Sequence, residues 1–221
     1  MLIEEEKRLA AEAAAQLVRD GDLVGLGTGS TVAYLLPAIA ARALNIRCVA
    51  TSPATARIAS QLGIDVEPFE KLARLDIAID GADQITGDGW LVKGGGGAHT
   101  REKIVASAAA RFVVVASSNK LVGALTPPIP LELLRFGVEA TLATLAMAEL
   151  RDAPPSPDGG LIADYHGPIG DPARLAAWLS ATPGVVDHGL FAPSPKTEIV
   201  VARNGEVLDW PEGGLASAAL P

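Results

Sequence analysis

The sequence predicts an α/β fold, a mostly parallel sheet flanked by helices, with a second, smaller α+β domain. Three observations carry that prediction. Short apolar runs alternate with helical stretches through the first 126 residues, and strands that alternate with helices form parallel sheets covered on both faces. The alternation stops at the prolines of "LTPPIP", residues 125–130, after which shorter elements follow in a different rhythm. Near the end, "KTEIVVARNGEVLDW" reads as a hairpin about Asn204-Gly205 that rejoins the first domain. The expected domains are therefore 1–126 with 200–221, and 127–199.

The elements follow in order. "EEEKRLAAEAAAQLVRDG" has a helical apolar rhythm with Gly21 as its C-terminal stop. "DLVGLG" is a buried strand, "TGST" a loop and "VAYLLPAIAARAL" a helix. "IRCVATS" is the second strand, and Ser52-Pro53 opens a helix with Ser as N-cap and Pro at the first helical position. "LDIAIDGAD" and "WLVKGGGG" are the third and fourth strands, the latter leading into the helix "AHTREKIVASAAA", and "RFVVVASSNK" is the fifth. In the smaller domain "LELLRF" is a strand, "GVEATLATLAMAEL" a helix, "LIADYH" a strand and "DPARLAAWLSA" a helix, before "GVVDHGLFA". Ligands of open α/β sheets bind beyond the carboxyl ends of the strands. Here those ends carry "GTGST", "DGAD", "KGGGG" and "SSNK".

Composition narrows the function classes. With 221 residues, 49% of them hydrophobic and 20% charged, the chain buries a substantial aliphatic core. No apolar run reaches the length of a membrane span, and the acidic, amphipathic start "MLIEEEKRLA" is unlike a signal peptide, so a cytoplasmic protein without membrane contact is expected. A single cysteine, Cys48, rules out an internal disulfide and reads as a buried structural thiol. The net charge of −8 argues against nucleic acid as a partner, although a pocket for a small anion remains compatible with it.

Each strand-end motif admits a structural and a functional reading. "GLGTGST" is a glycine turn that needs no ligand, or an anion site made by backbone N–H groups and the hydroxyls of Thr28, Ser30 and Thr31 at a helix N-terminus. It is neither a Walker loop nor a dinucleotide fingerprint, since no Gly-Lys-Ser/Thr follows and the third glycine is missing. Asp80 and Asp83, framing Gly81 and Ala82 at the end of an apolar strand, form a capping turn or a functional acidic pair; a magnesium site is a third option, but hard cations want several oxygen ligands and no further carboxylate cluster has convincing spacing. In "KGGGGAHTREK", ordering four glycines costs much entropy, which close approach by a ligand explains better than a loop tip does. Successive glycine N–H groups can cradle an oxyanion, Lys93 can add a positive charge, and Glu102 in the following helical turn can serve as a base. Lys120 and Lys7 are solvated lysines or phosphate contacts. The three histidines, His99, His166 and His188, lie far apart and receive no catalytic role.

Together these motifs resemble those of the ribose-5-phosphate isomerase A family, in the family's order and at about its spacing, over a stretch running from "EEEK" through "NGEVLDWPEG". The resemblance implies a Rossmann-like domain carrying a smaller α+β domain, interconversion of ribose 5-phosphate and ribulose 5-phosphate without a metal or organic cofactor, and a homodimer or homotetramer. It also implies residue roles: Glu102 as the base acting through an enediolate, and Lys93 with Gly94, Gly95 and Gly96 stabilising the negative oxygen. Asp80 and Asp83 would assist ring opening. Thr28, Gly29, Ser30, Thr31, Gly81 and Ala82 would bind substrate, and Lys120 and Lys7 would meet its phosphate. Three positions depart from the family: Gln84 where glutamate is common, the lack of a "TDNGN"-like turn around "LIADYHGPIGDP", and His99 in place of a small or apolar residue. A non-catalytic sugar-phosphate sensor and a CoA transferase are the rivals. The first would want a DNA-binding segment and the second a glutamate nucleophile with room for a long cofactor.

Overall fold

The structure, a computed structural model, describes residues 2–210. In chain order its elements are α1 (Ile3–Ala15), β1 (Leu23–Leu26), α2 (Val32–Ala40), β2 (Arg47–Ala50), α3 (Pro53–Gln61), β3 (Leu75–Gly81), β4 (Gln84–Thr86) and β5 (Leu91–Val92). Then come α4 (His99–Ala108), β6 (Ala109–Ser117), β7 (Leu121–Val122), β8 (Ile129–Leu133), α5 (Val138–Leu145), β9 (Ala148–Leu150) and β10 (Leu161–Tyr165). Last are α6 (Pro172–Ala181), β11 (Val185–His188), β12 (Leu190–Phe191), β13 (Thr197–Arg203) and β14 (Glu206–Trp210).

The described residues divide into two compact units, one holding 2–82, 101–121 and 194–210, the other 83–100 and 122–193. The first contains a sheet in the order β14-β13-β6-β3-β1-β2. All its pairings are parallel except β13 with β14. Its strands are apolar on both faces, as a doubly covered sheet requires: Val24, Leu26, Ile77, Ile79, Val113 and Val115 share a core with Ala10, Ala11, Ala14 and Ala15 of α1 and Leu35, Leu36 and Ile39 of α2. The expected hairpin is present. Asn204 (φ 52) and Gly205 (φ 90) take the left-handed conformations of a two-residue turn, and β13 joins the sheet beside β6.

Within the second unit β11-β8-β10-β9 form an antiparallel sheet, over which Leu145 of α5 and Leu175 and Leu179 of α6 pack on Ile129, Leu131, Leu133 and Ala163. A second small sheet runs β12-β5-β4-β7.

Three expectations are corrected. "WLVKGGGG" supplies no strand to the parallel sheet; the turn Thr86–Gly89 reverses the chain, so that β5 pairs antiparallel with β4 and β12. Residues 83–100 fall in the second compact unit, whereas the sequence reading cuts the chain at 126/127 and 199/200. The first helix ends at Ala15 rather than Gly21, its chain tightening into i→i−3 bonds at Gln16, Leu17 and Val18. The helix from Gly137 stops at Leu145 because Ala146 turns left-handed (φ 58), and "AEL" is strand β9 at the sheet edge. Among the described residues no helix is long and apolar enough to cross a membrane.

Candidate active site

The first unit holds "TGST", "SSNK" and residues 80–82 of "DGAD", whose Asp83 falls in the second. Asp80, next to last in β3, is 3% exposed, and its Oδ1 accepts the N–H groups of Thr28 (2.9 Å) and Gly81 (2.7 Å). This ties "DGAD" to "TGST". The neighbouring Gly27 is a consequence of that bond, because a Cβ there would run into the Asp80 carboxylate. Below the loop lies a hydroxyl network that sequence reasoning missed. Thr28 Oγ1 meets Thr51 Oγ1 at 2.8 Å and Thr55 Oγ1 at 3.2 Å, Thr55 Oγ1 donates to the Gly27 carbonyl at 2.9 Å, and Ser52 caps α3 through Thr55 N–H. The signal for it was the hydroxyl cluster in "ATSPAT". Gly29 and Ser30 are exposed, Thr31 is buried where α2 begins, and Gly81 and Ala82 are half-buried.

Lys120 sits in the turn Ser118–Lys120, which an unforeseen residue anchors. Glu6 of α1, 3% exposed, accepts Ser118 N–H (2.8 Å) and Ser118 Oγ–H (2.7 Å) on Oε2, and Asn204 N–H (3.3 Å) on Oε1. Burial pushes its carboxyl up, but these donors outweigh it and hold the group below the usual carboxylate range. The sequence signal was a charge on the alanine stripe Glu6–Ala10–Ala14. Lys7, one residue on, pairs with Glu4 at 2.7 Å, an ion pair half open to solvent on the Glu4 side. Glu102 lies in the first turn of α4 and is 3% exposed.

The second unit holds the glycine run. Asp83 Oδ2 accepts the Gly95 N–H at 2.8 Å, and Asp83 N–H donates to the Val92 carbonyl at 2.7 Å. Lys93 is 2% exposed, with Nζ 5.6 Å from the centre of the Phe191 ring, a cation–π contact. Three glycines of the run exclude a side chain for three reasons. At Gly94 (φ +100) a Cβ would stand 2.6 Å from His99 Nδ1, at Gly95 2.9 Å from Asp83 Oδ1, and at Gly97 (φ +71) 3.2 Å from Ile162 Cγ1. His99, given no catalytic role on the sequence reading, is fully buried as the first residue of α4, with Nε2 3.4 Å from the Asp187 carbonyl.

Two further residues escaped notice. Glu132, buried in β8, accepts Thr100 Oγ1–H and Ser156 Oγ–H, each at 2.5 Å, and so fixes the start of α4. Its signal was a lone charge in the apolar run "IPLEL". Arg151 binds the carbonyls of Gly94 and Gly95. Gln84 pairs both ways with Thr126: Nε2–H donates to its carbonyl and Oε1 accepts its N–H, both at 2.8 Å. A glutamate could make only the second bond. Cys48 is buried, and burial first, then the carboxylates of Asp65 and Glu67, push its thiol up to about 12, which leaves no nucleophilic thiolate at neutral pH. Among the described residues no group of three or more His, Cys, Asp or Glu side chains is placed to hold a metal ion.

A buried carboxylate in a helix's first turn, aspartates receiving backbone N–H groups, and a lysine followed by bare glycine amides are groups that can move protons and stabilise a negative oxygen. Comparison with known proteins makes this specific. Residues 47–206 match the profile of the family described as ribose 5-phosphate isomerase A (phosphoriboisomerase A). A ribose-5-phosphate isomerase A from Caulobacter vibrioides is 44% identical over 223 residues, covering 94% of this chain and 98% of its own. Among solved structures, ribose 5 phosphate isomerase A from Neisseria gonorrhoeae superposes with a TM-score of 0.89 at 32% identity, covering 94% of this chain and 96% of that one. A D-ribose-5-phosphate isomerase in complex with phospho-erythronic acid superposes with a TM-score of 0.87 at 31% identity, covering 95% and 99%. The chain belongs to the ribose 5-phosphate isomerase A family. Residues 3–67 also match the profile of the DeoR C terminal sensor domain, which spans less than half of the chain, and the non-catalytic sensor reading is not supported.

Proposed function

We propose that the chain, an aldose–ketose isomerase by family, interconverts D-ribose 5-phosphate and D-ribulose 5-phosphate with Glu102 as the base. The observation that carries the assignment is the burial of Glu102 in the first turn of α4, the helix that follows the glycine run in the chain. In the open-chain aldose the proton on C2 is acidified by the C1 carbonyl. Glu102 removes it, and the electron pair moves through C2–C1 onto the carbonyl oxygen, giving an enediolate. Lys93 and the glycine amides stabilise that oxygen, and the protonated Glu102 returns the proton to C1 as the C2 hydroxyl becomes the ketone. Asp80 and Asp83 handle the hydroxyl protons in ring opening and in the enediolate. The loop Thr28–Thr31, with Gly81 and Ala82, holds the sugar. Lys120 meets the phosphate, with Lys7 joining it by exchanging Glu4 for the ligand. Phosphate held away from the reacting carbons supplies binding energy that orients C1 and C2. No residue in this scheme calls for a metal or an organic cofactor.

Glu102→Gln tests the base. Turnover should fall by roughly 10²–10⁴-fold, while ribose 5-phosphate binding, read by calorimetry, is retained; unchanged turnover removes Glu102 from the role. Phospho-erythronic acid, whose carboxylate carries negative oxygen near the position of the enediolate's, should compete with substrate. Lys120→Ala should raise KM for phosphorylated sugars far more than for unphosphorylated ones. We further read the chain as a cytoplasmic homodimer or homotetramer that binds no nucleic acid. Support for self-association comes from the exposed Leu134, Phe136, Met147 and Trp178 of the second unit, with Phe136 at 94% exposure. A monomer by light scattering would refute it.

A further inference from the structure

The glycine run is held from the side of its carbonyls, and the chemistry of the peptide plane converts that into a statement about its N–H groups. Arg151, just past β9, donates through Nη1 to the carbonyls of Gly94 (3.3 Å) and Gly95 (2.9 Å). Its fork is fixed by Asp164 of β10, which accepts from Nε at 2.9 Å on Oδ2 and from Nη2 at 2.5 Å on Oδ1. In a trans peptide the C=O of one residue and the N–H of the next point in opposite directions across the same plane. Anchoring the Gly94 carbonyl therefore aims the Gly95 N–H away from Arg151, and Asp83 Oδ2 receives it at 2.8 Å. Anchoring the Gly95 carbonyl aims the Gly96 N–H away from Arg151 in the same manner. The guanidinium also polarises both peptides, which strengthens their N–H groups as donors.

We propose that Arg151, braced by Asp164, is a positioning residue for isomerisation: it orients the peptides of Gly94–Gly96 so that the Gly96 N–H is presented as the oxyanion donor. The inference rests on the reading of Lys93 and Gly94–Gly96 as the oxyanion cradle. It accounts for how a run of four glycines, the most freely rotating backbone available, keeps one setting without a substrate. It also distinguishes the glycine amides, since the Gly95 N–H serves Asp83 and the Gly96 N–H serves the reaction. Arginine is required by the geometry, for a lysine has no planar fork with which to bind a carboxylate by two bonds while reaching two carbonyls.

The test compares Arg151→Met, Arg151→Lys, Asp164→Asn and Lys93→Met with the unaltered protein. Arg151→Met should lower kcat about 10–100-fold, the scale of a misplaced or lost oxyanion donor, with KM for ribose 5-phosphate moved by less than about 3-fold because the phosphate contacts are untouched. Inhibition by phospho-erythronic acid should weaken in parallel with kcat, and inhibition by inorganic phosphate should stay unchanged. Backbone amide exchange should accelerate in residues 93–98 and remain as before in β6, residues 109–117. Arg151→Lys, keeping the charge without the fork, should still lose about 5-fold in kcat. Where Arg151→Met does not fold, Arg151→Lys and Asp164→Asn carry the same comparison. A kcat within about 2-fold of the unaltered protein in the folded Arg151 variants, or unchanged exchange at 93–98, overturns the proposal; so does a lowered melting temperature with kcat intact. If Lys93→Met loses activity while the Arg151 variants keep it, this inference alone fails. If Lys93→Met keeps full activity, the cradle reading beneath it fails.

Discussion

Replacing Glu6 by glutamine keeps its shape and removes its charge. One amide oxygen can still accept both Ser118 donors, but the NH₂ group then faces the Asn204 N–H, donor against donor. Hydrogen bonds to a charged acceptor are worth about 1.5–3 kcal/mol and neutral ones about 0.5–1.5. Two bonds weakened by about 1 kcal/mol each and a long third one lost, set against relief from burying a charge, leave a net destabilisation of about 2 kcal/mol at neutral pH. With an m-value of about 2 kcal/mol/M, the urea midpoint followed by far-UV circular dichroism should fall by about 1 M. The pH dependence identifies the cause. The folded pKa of Glu6 is depressed, so its stabilisation is complete above the unfolded value of about 4.3 and disappears as pH falls through the folded one. The stability gap between the unaltered protein and the Glu6→Gln variant should therefore be full at pH 7 and close on stepping down toward pH 3. A gap that is absent at pH 7, or that persists unchanged to pH 3, refutes the argument. Because the same carboxylate holds the turn that carries Lys120, KM for ribose 5-phosphate should rise in the variant.

Gly27→Ala forces a methyl group into the Asp80 carboxylate and should cost about 1–3 kcal/mol together with most activity, read by melting temperature and isomerase assay; native values for both would contradict the close packing described. Gln84→Glu sets a carboxylate against the Thr126 carbonyl and should speed amide exchange around Thr126, with a loss of about 1 kcal/mol in a urea titration. Dialysis against a chelator should leave the isomerase rate unchanged, and a loss restored by divalent metal would overturn the metal-free scheme. Cys48, its thiol pushed up to about 12, should resist iodoacetamide at pH 8 until the chain is unfolded; rapid labelling of the native protein would contradict its burial.

The parallel sheet was legible because each of its strands is an apolar run closed by glycine, hydroxyl or acid, and Ser52-Pro53 and Asn204-Gly205 announce their own local geometry. The fourth strand misled because "WLV" is too short for periodicity to say which sheet receives it, and the reversal at Thr86–Gly89 is settled by pairing with β12, about a hundred residues away. The motif residues could be found by type and position. Their supports could not, since Glu6, Glu132 and Arg151 act through partners distant in sequence: Ser118, Thr100 and Gly94. Glu6 and Glu132 left only a faint trace, a charge where the local pattern is apolar, while Arg151, between Glu149 and Asp152 in a turn-rich stretch, left no such trace. His99 left none, for nothing in "GGAHT" says that the imidazole fills the space opposite a glycine.

Read as letters, four glycines in a row are interchangeable, and a copy lost or gained looks harmless. The fold counts them. The first must turn left-handed against an imidazole, the second must admit a carboxylate, and the fourth must turn again beside an isoleucine, so each has an address that its neighbour does not fit. A chain with three glycines would keep nearly the same composition and flexibility, yet the distance between Lys93 and the start of α4 would be one peptide short. The segment is best understood as a spacer of fixed length, in which the number of residues carries the information that their identity does not.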